Sequence, residues 1–447
     1  MSSSLQSLFQ KALVVLFTVT FVLFYVVHEK QLNRHSLEET TTPAQITHID
    51  RVIRSEIITA NANSILNDRT SARSALLKCS PENHILFLKT HKTGSSTIAN
   101  IMFRYGDFKN LSFVLPSFTM LGWPYRFHLF FVHHLISETP NILCSHARFN
   151  KKPMNRLFPK ESSKYITILR NPVDNFESVF NYMELGKRIG LGNNPDSLQL
   201  FLERSGIPFT MMRKINYEWL LIRNPLLHDL GLSFKFYQNL TAVNEYIQFL
   251  DKEFDLVMIM DYFDESLVLM KRLLCWNMDD ILYLKLNDRQ EEEKNVALNS
   301  DIRENIKRWN KADVLLFDHF NKSFWKRIEK EGDTFEEELA TFRQRATKIK
   351  QSCVTNETRL QFLYAEKYVK GYNLKHDLPE ELRRLCEKMT MSENTYLKYL
   401  RGKQKKKMRL IEMGPQNYTE LSREMKEDEE TWDSANDLVY EPVNLAV

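Results

Sequence analysis

The sequence predicts an α/β fold with a central parallel sheet flanked by helices. Short apolar runs recur at Ile85-Leu-Phe-Leu88, Tyr165-Ile-Thr-Ile-Leu169 and Phe254-Asp-Leu-Val-Met-Ile-Met260, each the length of a buried strand. Each run is followed by a turn and then by a stretch with helical spacing. Strands that alternate with helices call for crossover connections and a parallel sheet.

The elements follow in order. Ile85–Leu88 reads as a strand, the Thr/Ser/Gly cluster after it as a loop, and Ile98-Ala-Asn-Ile-Met-Phe-Arg-Tyr105 as a helix. Asn141-Ile-Leu-Cys144 is a further apolar run that places His146 at a strand end. The strand at 165–169 stops at Arg170-Asn-Pro172, where Pro172 can open a helix over 173–183. The strand at 254–260 leads into a helix over 267–275, and residues 301–330 and 335–350 read as helices.

Composition bounds the class. The chain has 447 residues, 43% hydrophobic and 26% charged, which excludes a fully disordered chain and a polytopic membrane protein. A net charge of +4, from 61 basic and 57 acidic residues, gives no argument for nucleic acid, while leaving room for a local anion pocket. The five cysteines, at 79, 144, 275, 353 and 386, contain no C-x-x-C pair, so no zinc site is expected.

Residues 12–27, ALVVLFTVTFVLFYVV, carry no charge, and no small-x-small cleavage site follows them at Val26-Val27-His28-Glu29. The expectation is an uncleaved signal anchor over 12–28, a cytoplasmic tail over 1–11 and a luminal stem over 29–80. The sequons at Asn110, Asn239, Asn321, Asn356 and Asn417 all lie downstream of the anchor, as a luminal chain requires. A catalytic domain over 81–330, a helical extension over 331–400 and a polar, disordered tail over 401–447 complete the division. That tail holds the basic run Lys403-Gln-Lys-Lys-Lys407 and the acidic run Glu427-Asp-Glu-Glu430.

Leu88-Lys-Thr-His-Lys-Thr-Gly-Ser-Ser-Thr97 joins a strand to a helix, where backbone N–H groups and the helix N-terminus favour an anion. Gly94 admits close approach, Lys92 brings a point charge, and Ser95, Ser96 and Thr97 bring short donors. The loop is not a Walker A sequence, because Lys92 precedes the only glycine instead of following a second one. Asp261, at the end of the third strand, could be a metal-binding aspartate or an ordinary strand-end residue; the second is the commoner case. Arg170 stands at a strand end and Ser178 about two helical turns on, a guanidinium and a hydroxyl suited to a second phosphate.

Two phosphate receptors about 75 residues apart resemble the sulfotransferase fold, a P-loop-like α/β fold. More narrowly, the chain resembles the galactose-3-O-sulfotransferase family, which includes galactosylceramide sulfotransferase. The resemblance rests on Phe87–Thr97, Cys144-Ser-His-Ala-Arg-Phe149, Ile168–Pro172, Tyr262–Trp276 and Phe317–Trp325, and more weakly on Gly371–Lys375 and Cys386. The family usually has Ala where Gly94 stands, a difference expected to be harmless.

The resemblance implies a type II, single-pass Golgi membrane enzyme. It would use 3′-phosphoadenosine-5′-phosphosulfate as donor and a β-galactose 3-hydroxyl as acceptor, without a metal. By the same resemblance, Thr93, Gly94, Ser95, Ser96 and Thr97, with Lys89, hold the 5′-phosphate. Arg170 and Ser178 hold the 3′-phosphate, and Lys92 meets the leaving oxygen. His146 is the expected general base, because related 2-O-sulfotransferases of heparan sulfate carry a catalytic His in this place. His133, His134 and His91 are the alternatives. Arg148 could orient a substrate or sit in an ion pair, the aromatics at 118–131 could stack on a sugar or fill the core, and Cys353 could bridge to Cys386. A kinase of related fold and a membrane-anchored glycan-binding protein with a non-catalytic loop are the competing readings.

Overall fold

In the computed structural model, four strands form one parallel sheet: β1 (Ile85–Leu88), β2 (Ile142–Leu143), β3 (Lys164–Leu169) and β4 (Leu256–Ile259), in the spatial order β2-β1-β3-β4. The structure describes residues 79–413 apart from 118, 134–139, 193, 195, 204–219, 287–297 and 365–366. All belong to the compact unit that starts at Cys79. The anchor over 12–28, the stem to residue 78, His134, Asn417 and the chain beyond 413 lie outside the described residues.

The register aligns Ile85 with both Ile142 and Lys164, and Ile166 with Leu256. Every residue of β1 and β4 is buried, as expected of strands covered on both faces. The apolar runs were therefore strands, and the alternation with helices held.

The covering helices are amphipathic and properly ended. α1 (Ser95–Phe108) follows the loop after β1, α2 (Lys151–Leu157) precedes β3, and α3 (Pro172–Tyr182) starts with Pro172 in its first turn behind an Asn171 cap. Short helices α4 (Leu185–Arg188), α5 (Ser197–Glu203) and α6 (Pro225–Asp229) follow. α7 (Leu240–Glu253) leads to β4, and α8 (Phe263–Leu274) leaves it. α9 (Ser300–Trp309), α10 (Lys311–Glu331) and α11 (Thr334–Cys353) correspond to the helices expected at 301–330 and 335–350, with a break at Asn310. Gly106, inside α1, has no room for a side chain: a Cβ there would stand 2.4 Å from the Phe113 ring and 2.8 Å from Ile142. α1 thus packs directly against the segment that leads to β2.

Two expectations need correction. The extension after 331 is not wholly helical. It holds an antiparallel hairpin, β5 (Val354–Tyr364) with β6 (Lys367–Leu374), before α12 (Glu380–Thr390). The basic run at 403–407 is not a solvated tail either, because it lies in α13 (Glu393–Met413). Gln404 of that helix is buried; its Oε1 accepts from Phe113 N at 2.7 Å, and Lys403 reaches Asp107 at 2.7 Å. Apolar Tyr396, Leu397 and Leu400 share the buried side, so the lysines count as the outer rows of an amphipathic helix.

Asp261 accepts from Asn171 N at 3.1 Å and so ties β4's end to α3, the structural role expected of it. Among the sequons, Asn110, Asn239 and Asn356 are exposed, whereas Asn321 lies within α10 with its side-chain oxygen buried.

Disulfides join Cys79 to Cys275 and Cys353 to Cys386. Cys144 is a buried thiol, and burial pushes its pKa well up, toward the inert form. Peptide mapping without reduction should recover the two bridges and leave Cys144 unlabelled until the chain is unfolded. The second bridge spans 33 residues. The variant C353S/C386S should therefore lose about 3–4 kcal/mol of stability on the chain-entropy estimate, read by denaturant unfolding. An unchanged midpoint would count against the bridge.

Candidate active site

The loop from Lys89 to Ser95 runs off the carboxyl end of β1, between the ends of β2 and β3. Lys92 and Gly94 both adopt left-handed backbone angles, with φ of 59° and 72°. In this region a glycine is easier than an alanine by roughly 1 kcal/mol, so Gly94 is the better residue for the turn rather than an indifferent one. The turn opens α1 with no side-chain cap, and the N–H groups of Ser95 and Ser96 have no acceptor within the helix. That is the geometry of an anion site at a helix N-terminus.

The side chains of the loop divide by direction. Thr93 and Ser95 donate to Thr90 O at 3.1 and 2.7 Å, and Thr97 accepts from Leu286 N at 3.1 Å. These three hydroxyls are buried and brace the loop, so the expectation that the hydroxyls of Ser95 and Thr97 face a ligand is corrected. Their contribution to an anion is confined to the backbone. Ser96 is the partly exposed one, in contact with Lys89 and Glu393.

α3 supports the loop from the side. Asn171, Asn175, Ser178 and Tyr182 recur at helical spacing on one face. Asn175 Nδ2 donates to His91 O at 2.9 Å, and Lys92 Nζ lies 3.8 Å from the centre of the Tyr182 ring. Ser178 lies between them on that face and is buried. Arg170 donates to Lys92 O at 3.2 Å. The structure thus brings Lys92 and Arg170 together beside the α3 face that carries Ser178. Asn175 and Tyr182 were missed by sequence reasoning, although their spacing from Ser178 was a readable signal. Asn175 Oδ1 is buried and has no partner among the described residues.

The histidines are arranged unequally. His146 bridges to Lys89 at the end of β2. Its Nε2 lies 2.7 Å from Lys89 Nζ and its Nδ1 3.2 Å from Lys89 O. An ammonium can only donate, so Nε2 is the acceptor and the ring proton sits on Nδ1. Burial, with His91 and Lys89 adding to it, holds the His146 pKa well below the usual histidine value. His146 is therefore neutral, but its lone pair is already engaged.

His91 stacks on His146, ring centres 4.0 Å apart and planes 16° apart. Its Nδ1 lies 2.9 Å from Asp229 Oδ2, which also accepts from His91 N at 2.8 Å, while Trp123 Nε1 donates to Oδ1 at 2.9 Å. Asp229 is 0% exposed. A carboxylate on Nδ1 leaves Nε2 as the basic nitrogen. That atom is buried and has no partner among the described residues. An enclosed lone pair with no donor is a position a ligand hydroxyl can fill.

Asp229 is itself held. α6, which ends at Asp229, has its N-terminal amides of Leu226 and Leu227 each 2.9 Å from the Asp313 carboxylate of α10. Arg148 donates to the carbonyls of His228 and Leu232 at 3.0 Å. Arg148 forms no ion pair among the described residues; it fastens the turn that carries Asp229. Burial, with Arg148 alongside, pushes His228 down to about 4, so it adds no charge. The His133 N–H donates to Leu115 O at 2.7 Å. Of the aromatics at 118–131, Phe127 is core, Trp123 lines the site, and Tyr125 and Phe130 are exposed.

Comparison with known proteins places this geometry. The family model described as galactose-3-O-sulfotransferase matches residues 3–404. Galactosylceramide sulfotransferase of Bos taurus is 32% identical over 349 residues, covering 73% of this chain and 80% of its own. Galactose-3-O-sulfotransferase 3 of Homo sapiens is 33% identical over 342 residues, covering 72% and 78%. Galactose-3-O-sulfotransferase 2 of Sus scrofa is 32% identical over 339 residues, covering 71% and 83%.

The tautomers are open to direct measurement. Nitrogen-15 spectra should show His146 uncharged, protonated on Nδ1, between about pH 6 and 8, where an unperturbed histidine titrates. The sign follows from the lowered pKa: the proton is lost at a pH below that window. An imidazolium at His146 near pH 6.5 would overturn the assignment.

Proposed function

The chain belongs to the galactose-3-O-sulfotransferase family, and from that premise we propose that it transfers a sulfuryl group from 3′-phosphoadenosine-5′-phosphosulfate to the 3-hydroxyl of a β-galactose. The acceptor is carried on a glycolipid, such as galactosylceramide or lactosylceramide, or on a glycoprotein glycan. The reaction takes place on the luminal side of the Golgi membrane, with the apolar segment at 12–28 as anchor. The observation that carries the reading is the buried Asp229–His91 pair, whose Nε2 has no partner among the described residues, immediately before Lys92 in the anion loop.

The roles follow from the geometry. The backbone of Thr93–Thr97, at the start of α1, receives the 5′-phosphate, and Arg170 with Ser178 receives the 3′-phosphate. His91 Nε2 takes the proton of the attacking galactose hydroxyl as its oxygen bonds to sulfur. Asp229 stabilises the imidazolium that results. The sulfur–oxygen bond to the 5′-phosphate breaks in the same displacement, and the Lys92 ammonium meets the negative charge on the departing oxygen. Because His91 Nε2 is enclosed, acceptor entry has to displace a covering side chain. His146 was the base expected from the sequence. We assign that role to His91, since Lys89 occupies the lone pair of His146 and no described residue occupies that of His91.

The test is an assay of the full-length chain in detergent, with labelled donor and galactosylceramide, lactosylceramide and N-acetyllactosamine as acceptors. His91→Ala and Lys92→Ala should each lower kcat by about 10²–10⁴-fold, the range of a positioned acid–base or charge-stabilising group. Asp229→Asn should also lower kcat, with binding of adenosine 3′,5′-bisphosphate kept. Binding of the bisphosphate without transfer to any galactose acceptor would favour the glycan-binding reading. Full activity in His91→Ala would return the base role to His146.

A further inference from the structure

Residue 393 belongs to the last described helix, yet its side chain reaches the anion loop. Glu393 Oε2 lies 2.9 Å from Lys89 Nζ and accepts from Ser96 Oγ at 3.2 Å. Lys89 is 2% exposed, and its ammonium has three protein acceptors around it: Glu393 Oε2, His146 Nε2 at 2.7 Å and Ser96 Oγ at 3.3 Å. Three acceptors use all three donors of an ammonium. Lys89 therefore has no N–H left for a phosphate in this arrangement, contrary to the donor-binding role expected of it. A carboxylate beside the first turn of α1 also repels an anion bound there.

The carboxylate is firmly placed. Asn100 Nδ2 in α1 donates to Lys388 O at 2.8 Å, at the end of α12. Asp107, near the end of α1, takes Lys388 at 2.9 Å and Lys403 at 2.7 Å. Burial works to raise the Asp107 pKa, but the two ammoniums outweigh it and hold the carboxyl below its usual range. Arg401 donates to Pro116 O at 3.0 Å, and the Cys353–Cys386 bridge fastens α12 to the end of α11. Glu393 stands at the first position of α13, between these anchors.

We propose that Glu393 is a positioning residue that keeps the Lys89 ammonium on His146 and off the donor phosphate. Lys89 in turn fixes His146 as the flat, neutral ring on which His91 stacks. The inference rests on the reaction proposed above. In the absence of Glu393, Lys89 loses its counter-charge and turns to the anion, His146 loses the donor to its Nε2, and His91 loses its support. Donor-site affinity and turnover then move in opposite directions, which general damage to the fold does not produce.

The experiment compares the full-length wild type with Glu393→Gln, nearly the same shape without the charge. Glu393→Gln should lower kcat about tenfold or more, a coupling of ordinary size for neighbours in one network. Binding of adenosine 3′,5′-bisphosphate, measured by calorimetry, should be a few-fold tighter, as expected where a partly screened carboxylate beside an anion is removed. The double variant K89M/E393Q should be no slower than K89M alone, since Glu393 acts through Lys89. Loss of kcat and bisphosphate affinity together, additive losses in the double variant, or unchanged kcat would each overturn the proposal. The calorimetric arm needs no acceptor. A wild type that binds the bisphosphate but transfers to no galactose would sink the reading of the reaction, and tighter or weaker binding by Glu393→Gln would still decide this one.

Discussion

A single buried carboxylate organises the site. Asp229 accepts from the backbone of His91, from its ring and from the indole of Trp123. A charge with no exposed surface survives in a fold only when hydrogen bonds replace its water. Two segments distant in sequence, the anion loop and the 120s, supply those bonds to a carboxylate at the end of α6. Satisfying the carboxylate therefore fixes the anion loop at its third residue and selects the His91 tautomer. The contacts that satisfy the buried carboxylate are also those on which the proposed proton transfer depends. Asp313 and Arg148 extend the arrangement outward by holding the two sides of the α6 turn.

The sheet decides what can gather around that carboxylate. In the order β2-β1-β3-β4, the strand that leads to the anion loop lies between those that lead to His146 and Arg170. All the strands are parallel, so their carboxyl ends open on the same edge. The anion loop with His91 and Lys92, the ring of His146 and the guanidinium of Arg170 come from three adjacent strand ends. Buried apolar strands set their spacing, and the loops carry the chemistry.

Much of this was legible in the sequence, for a physical reason. Ile85–Leu88 and Lys164–Leu169 are local signals, since a strand buried on both faces must be apolar throughout. The anion loop was legible because a glycine and a lysine between strand and helix have few other uses. What was not legible is non-local. Nothing near His91 announces that residue 229 will reach its ring, and His146 was preferred for its strand-end position and the resemblance to 2-O-sulfotransferases. The hairpin at 354–374 had little local signal at its start, since Val354-Thr-Asn-Glu-Thr-Arg-Leu360 shows no regular alternation of apolar and polar residues. It was obscured by the helices on either side. The lysines at 403–407 hid a helix because their charge is conspicuous, while the buried row of Tyr396, Leu400 and Gln404 is not.

The reach of Glu393 to Ser96, across 297 residues of chain, has a consequence for biosynthesis. A ribosome makes the anion loop early and α13 close to the end. The sheet can form while the chain is still being extended, since β1 to β4 are complete by residue 259. The arrangement around Lys89 waits for a helix that emerges more than a hundred residues later, and for the bridge that anchors its neighbour. The last helix to be made thus completes both the core, through Tyr396, Leu397 and Leu400, and the contacts around Lys89.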